Sequence, residues 1–134
     1  MATTTASITI SSGDLTGDAL SLSTTATLTK AGSATGLDQT SGVARKFFAT
    51  AQTATPLVVA SDYTADKAHK VYIKNTSTSN SEYVTVELSA SPNLSIGRLY
   101  GGDWMFIPYD GNSDIDIDTS DVNMTVEYLV IYEA

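Results

Sequence analysis

Lys70-Val71-Tyr72-Ile73-Lys74 and Glu82-Tyr83-Val84-Thr85-Val86-Glu87-Leu88 are the stretches that decide the fold class of this chain. Both alternate apolar and polar side chains, the period of a strand with one buried face. In the first, Val71 and Ile73 share one side, and Lys70, Tyr72 and Lys74 share the other. In the second, Val84, Val86 and Leu88 point one way, and Tyr83, Thr85 and Glu87 the other. Setting Ile73 against Val84 also sets Val71 against Val86 and, on the polar side, Lys70 against Glu87. A hairpin in that register satisfies core and surface together, so it is the pairing the sequence predicts.

Further candidate strands flank this pair at 44–51, 56–61, 95–100, 104–109 and 114–132, the last with a break near Asp121. Turn chemistry separates them: Asn75 to Ser81, Ser91-Pro92-Asn93, Gly101-Gly102-Asp103 and Asp110-Gly111-Asn112. No helical period runs beyond a turn or two, and Tyr63 to Lys67 is the one candidate for a single turn. Short strands at this spacing predict an all-β fold, an antiparallel sandwich that is jelly-roll-like.

The strands are unevenly distributed. Residues 1–42 contain no aromatic side chain, and every Phe, Tyr and Trp lies from Phe47 onward. Within that first third, Ser7-Ile8-Thr9-Ile10 and Ala19-Leu20-Ser21-Leu22, continuing through Ala26 and Leu28, alternate weakly. Neither run buries enough to stand alone. The expected organisation is an extended Thr/Ser-rich arm, 1–42, and a β-sandwich body, 43–134. The arm either docks on the body or a neighbour, or stays partly disordered.

The chain of 134 residues has room for one modest core, and its 42% hydrophobic content is ordinary. Only 16% of residues are charged, against a typical quarter, and Ser and Thr fill the polar positions instead. The net charge of −8 argues against nucleic acid and anionic membranes as partners, because few cations are available for phosphates. With no cysteine, disulfides and thiolate metal sites are excluded. Met1-Ala2-Thr3-Thr4-Thr5 has neither a basic nor an apolar leader region, and no run is long enough to span a membrane.

Catalytic chemistry is not expected, nor is a cofactor. Asp110, Asn112, Asp114 and Asp121 stand at positions 1, 3, 5 and 12 of a calcium loop, but Ile115 occupies the position that needs glycine, and position 12 offers the shorter Asp. The Asp/Ile alternation that follows reads as a solvated acidic edge strand with Ile115 and Ile117 inward. The same carboxylates have no feature that marks a glycosidase pair. His69, the single histidine, starts a strand on the Val71 side and reads as a satisfied imidazole rather than a base. Gly101-Gly102 reads as a hairpin turn.

Two strands break the alternation. Trp104-Met105-Phe106-Ile107 and Tyr128-Leu129-Val130-Ile131-Tyr132 are apolar on both faces, although a sandwich strand buries only one. The second face must meet the arm, a long loop or another subunit. Trp104, Phe106, Leu129 and Ile131 are therefore the interface candidates, together with the cations Arg45 and Lys46. A closed homo-oligomer, a trimer, is the expected arrangement.

Val71-Tyr72-Ile73-Lys74-Asn75-Thr76-Ser77, Glu82-Tyr83-Val84-Thr85-Val86, Gly97 to Pro108 and the closing Met124 to Glu133 together resemble small virion structural proteins of tailed bacteriophages. The resemblance spans about 43–134 and only loosely the arm. It implies a head decoration (cement) protein, or a neck or tail accessory protein, with no catalytic residue to carry over. Packaged DNA is anionic, so the −8 chain is better placed on the outer surface of the shell than in its lumen. The partner is then the major capsid protein, and the location the virion exterior after assembly in the host cytoplasm. A glycan-binding sandwich with Trp104, Tyr100 and Tyr109 as a sugar platform is the alternative from another class.

Overall fold

Strand alternation gathers the inward side chains of the second half into one core. The computed structural model describes residues 3–14, 17 and 19–134; Met1 and Ala2, part of the stretch read for a leader, lie outside them. The chain divides into two compact units, 1–38 and 39–134.

In the first unit, β1 (Thr4–Ser12) and β2 (Leu20–Leu28) form an antiparallel ribbon in continuous register from Thr4↔Leu28 to Ser12↔Leu20. Its base is closed by a Thr29↔Gly36 bridge and by the Leu37 N–H donating to the Leu28 carbonyl at 2.9 Å. Leu28 and Leu37 are buried there.

The second unit opens with the two-residue β3 (Gln39–Thr40) and continues with β4 (Ala44–Phe48), β5 (Thr55–Val58) and β6 (His69–Asn75). β7 (Tyr83–Leu88), β8 (Leu94–Tyr100), β9 (Trp104–Tyr109), β10 (Ile115–Thr119) and β11 (Met124–Tyr132) follow. One sheet runs β5-β10-β7-β8; the other runs β3-β11-β6-β9, with β4 also on β11. All pairings are antiparallel. Numbered from β4, the eight body strands lie in the orders 2-7-4-5 and 1-8-3-6, which is the jelly-roll arrangement of two interlocked Greek keys.

The predicted inward faces hold. Val71, Ile73, Val84, Val86, Ile115 and Ile117 are all fully buried in the shared core, and Leu88 packs against it half-buried. The predicted hairpin does not form. β6 pairs with β9 and β11, whereas β7 pairs with β8 and β10, so the two stretches face each other across the sandwich. Lys70 accordingly lies opposite Pro108 and Ile131, and Glu87 opposite Asp116 and Ser95. Alternation dictates which side of a strand meets the core, but a strand that crosses the core satisfies it as fully as a hydrogen-bonded neighbour.

Two more expectations are corrected for the same reason. Gly101-Gly102 carries the chain from one sheet to the other rather than closing a hairpin, since β8 and β9 belong to different sheets. β10 is an inner strand between β5 and β7, so the Asp/Ile segment is not a sheet edge. In the second unit a helical turn lies at Ala60–Asp62, just ahead of the Tyr63–Lys67 segment.

Buried polar residues bracket β6. At its start, His69 is fully buried; its Nε2 contacts the Thr64 carbonyl at 2.8 Å, and its Nδ1 accepts from the Glu133 N–H at 3.2 Å. Nε2 therefore carries the proton. At its end, Asn75 is equally buried: Nδ2 donates to the carbonyls of Leu99 (3.0 Å) and Glu82 (3.2 Å), and Oδ1 accepts from the Ser77 N–H at 3.0 Å. The backbone of Asn75 also exchanges bonds with Gly102 and Asp103, so a single residue fixes both cross-sheet corners at that end.

Candidate binding face

The outward side of the five-stranded sheet gathers most of the interface candidates. Successive rows across it read Trp104–Lys74–Glu127–Arg45, then Phe106–Tyr72–Leu129, then Pro108–Lys70–Ile131–Thr40. Phe47, opposite Thr125, extends the face beyond Arg45. Met105 and Ile107 turn inward, so β9 divides its apolar residues between core and surface. Trp104 is 52% exposed, Phe47 60% and Phe106 36%, while Leu129 and Ile131 are half-buried between their neighbours.

Exposed apolar faces of this kind are candidates for contact surfaces. Tyr72 lies beside Trp104, ring centroids 6.4 Å apart and tilted by 42°. Its hydroxyl donates to Glu127 Oε1 at 3.1 Å, and Arg45 Nε donates to Glu127 Oε2 at 2.8 Å. The Arg45 guanidinium first, and the Tyr72 hydroxyl after it, hold the Glu127 carboxyl below the usual range. Burial, assisted by the Glu127 hydrogen bond, pushes the Tyr72 phenol up. Burial likewise lowers the Lys70 ammonium, against the opposing pull of Glu133. The strand residues of this face thus carry Arg45, Lys70 and Lys74 against one carboxylate, Glu127, on a chain of net charge −8.

Lys46 does not join them. It lies opposite Val126 on the inward side of β4, where its Nζ donates to the Pro56 carbonyl at 3.3 Å and stands 5.4 Å from the Phe48 ring centroid. Neighbouring positions on a strand point to opposite faces, so Arg45 and Lys46 could not both serve one surface. The sugar-platform trio is scattered too: Tyr100 belongs to β8 of the other sheet, stacked near Tyr83, and Tyr109 is buried.

The outer side of the four-stranded sheet carries carboxylates on β7 and β10, beside Arg98 of β8, whose guanidinium lies 4.3 Å from the Tyr83 ring centroid. Glu87 and Asp116 face each other across β7 and β10, and Asn93 Nδ2 donates to both, at 3.1 and 3.3 Å. Asp118 and Asp114 instead accept from the backbone N–H groups of Ala54 (2.6 Å) and Ala60 (2.7 Å). These carboxylates tie loops to β10, which explains why an inner strand tolerates them.

Of the calcium-loop candidates, Asp110 and Asn112 meet each other, whereas Asp114 and Asp121 bond elsewhere. Asp110 accepts both the backbone N–H and the side-chain amide of Asn112 at 3.0 Å, and Asn112 also reaches Asp66 at 2.9 Å. Those Asn112 bonds depress the Asp110 carboxyl. Asp114 is committed to Ala60, and Asp121 accepts from the Val122 N–H at 2.7 Å. Among the described residues, no group of three or more His, Cys, Asp and Glu side chains is placed to hold a metal ion.

Comparison with protein-family models, curated proteins and solved structures finds no match to this chain. Among the described residues, no helix is long and apolar enough to cross a membrane.

Proposed function

We propose that this protein is a non-enzymatic virion structural protein, a decoration (cement) protein that binds the major capsid protein on the outer surface of a tailed-phage head and stabilises it. The observation that carries this reading is the aromatic, locally cationic face built by Trp104, Phe106, Tyr72, Leu129 and Phe47 among Arg45, Lys70 and Lys74. Such a face needs only a complementary protein surface, and it asks for no reacting group. A contact repeated over many equivalent sites raises shell stability even when each contact is weak. A homo-oligomer, with three copies suited to the sites between capsomers, multiplies it further. The jelly roll is compatible with this role without selecting it, since the same architecture serves capsid and lectin domains.

The test is addition of purified protein to particles that lack it, followed by heating and measurement of DNA release. Wild-type protein should raise the release temperature, and Trp104→Ala combined with Phe106→Ala should not. Protein found in a dozen copies or fewer near the portal, with release unchanged, would reject the cement role in favour of a neck or tail component.

A further inference from the structure

The β1–β2 ribbon has two unlike faces. On one, Thr5–Thr27, Ser7–Thr25, Thr9–Ser23 and Ser11–Ser21 lie opposite each other; on the other lie Ala6–Ala26, Ile8–Thr24, Ile10–Leu22 and Ser12–Leu20. The hydroxyl face satisfies itself across the strands: Ser7 Oγ and Thr25 Oγ1 are 2.7 Å apart, and Thr9 Oγ1 and Ser23 Oγ 3.4 Å. The other face is apolar and open. Ile8, Ile10, Leu20 and Leu22 are 38%, 44%, 40% and 46% exposed. A two-stranded ribbon is marginal in water and becomes stable when its apolar face is covered.

Charge identifies the cover. Neither β1 nor β2 contains a charged residue, although the chain carries −8 overall. Acidic copies repel wherever their charged surfaces meet, but the strand segments of two ribbons can meet without opposing like charges, since Asp14 and Asp18 fall between the strands in sequence. The same absence of cations leaves nothing to attract a polyanion or an anionic lipid surface. An identical apolar stripe needs no charge at all, and closed symmetry is the usual way that copies of one chain join. We infer that the ribbons of neighbouring copies turn their apolar faces toward one another about the symmetry axis, with Ile10 and Leu22 at the centre, and that this contact holds the oligomer together. The inference goes beyond shell binding and does not rest on it, because the contact forms in purified protein.

The absence of cysteine makes the test direct. Wild-type protein at micromolar concentration should scatter light with a multiple of the one-chain mass. Ile10→Asp combined with Leu22→Asp should reduce it to one chain while leaving the near-ultraviolet signal of the aromatic body intact, since no aromatic residue precedes Phe47. Treated with a short bis-maleimide, Leu22→Cys or Ile10→Cys should form linked chains, since packed sheet faces lie about 10 Å apart, beyond the reach of a direct disulfide. Ser23→Cys, on the hydroxyl face, should not. A monomeric wild type, a multimer that survives the double Asp substitution, or equal linking through Ser23→Cys would each overturn the inference. Shell binding is read separately through Trp104 and Phe106, so the two can fail independently.

Discussion

Replacing Asn75 with Asp keeps the volume of the side chain and its acceptor but removes both of its donors. In the native corner those donors satisfy the carbonyls of Leu99 and Glu82, the first of them in a fully buried bond. An orphaned buried acceptor costs about 1–3 kcal/mol, so two lost bonds together with the burial of a carboxylate should destabilise the body by about 3–6 kcal/mol at neutral pH. Against a total stability of about 5–15 kcal/mol, that is a large share. The carboxyl would face two carbonyl oxygens and resist ionisation, so its folded pKa would rise above the unfolded value of about 3.9. With that sign, stability is greatest below the unfolded pKa and falls as pH rises through the folded one. Urea denaturation followed by tryptophan fluorescence, with the wild type as reference at pH 4 and pH 7, measures both effects. A loss under about 1 kcal/mol at neutral pH, or a loss equal at the two pH values, would refute the role assigned to the Asn75 amide.

Val86→Ala should cost about 1–3 kcal/mol in the same assay, since Val86 is fully buried and its methyls leave a void. The Tyr109 phenol is pushed up to about 12, chiefly by burial and then by Asp114 and Asp110, and its hydroxyl donates to the Ser113 carbonyl at 2.9 Å. Its folded pKa is raised, so its contribution persists below about 10 and is lost as pH climbs toward 12; ultraviolet titration should show a late phenolate that disappears in Tyr109→Phe. Glu127 has a depressed folded pKa, so its contribution exists above the unfolded value near 4.3 and fades as pH falls through the folded one. Glu127→Gln should therefore lower stability at neutral pH, leave it unchanged in acid below the folded value, and so flatten the acid limb of the profile.

Strand positions and inward faces were legible in the sequence because they follow from local alternation, a property that each strand carries by itself. Connectivity was not legible in the same way. Val71, Ile73, Val84 and Val86 have the same burial whether β6 and β7 are bonded neighbours or opposing layers, so the pattern holds no information about which applies. The role of Asn75 escaped for a related reason. At a strand end followed by Thr76-Ser77, it reads as turn chemistry, and only the crossing of the sheets brings Leu99 and Glu82 to it. His69 was easier, because its position in the Val71 phase already pointed it inward. For the candidate face, the apolar excess of 104–107 and 128–132 was visible in the sequence, whereas Lys46 was misplaced by grouping it with Arg45 through adjacency rather than phase.

The sheet face and the ribbon, two of the apolar surfaces this protein exposes, differ in a way that separates their uses. The sheet face of β9, β6, β11 and β4 mixes aromatic rings with Arg45, Lys70 and Lys74, so two copies meeting there through that same face would bring cations against cations. The ribbon carries no charge on either strand, so self-contact there brings no like charges together. The proposed self-contact and the proposed shell contact therefore fall on separate surfaces: the uncharged strands of the ribbon suit identical copies, and the cationic aromatic face suits an unlike partner. On that division, charge reversal at Lys70 and Lys74 should weaken particle binding and flatten its dependence on salt, because the screened attraction has been removed, while the mass of the purified oligomer stays the same. A simultaneous loss of both would mean that one surface serves both contacts.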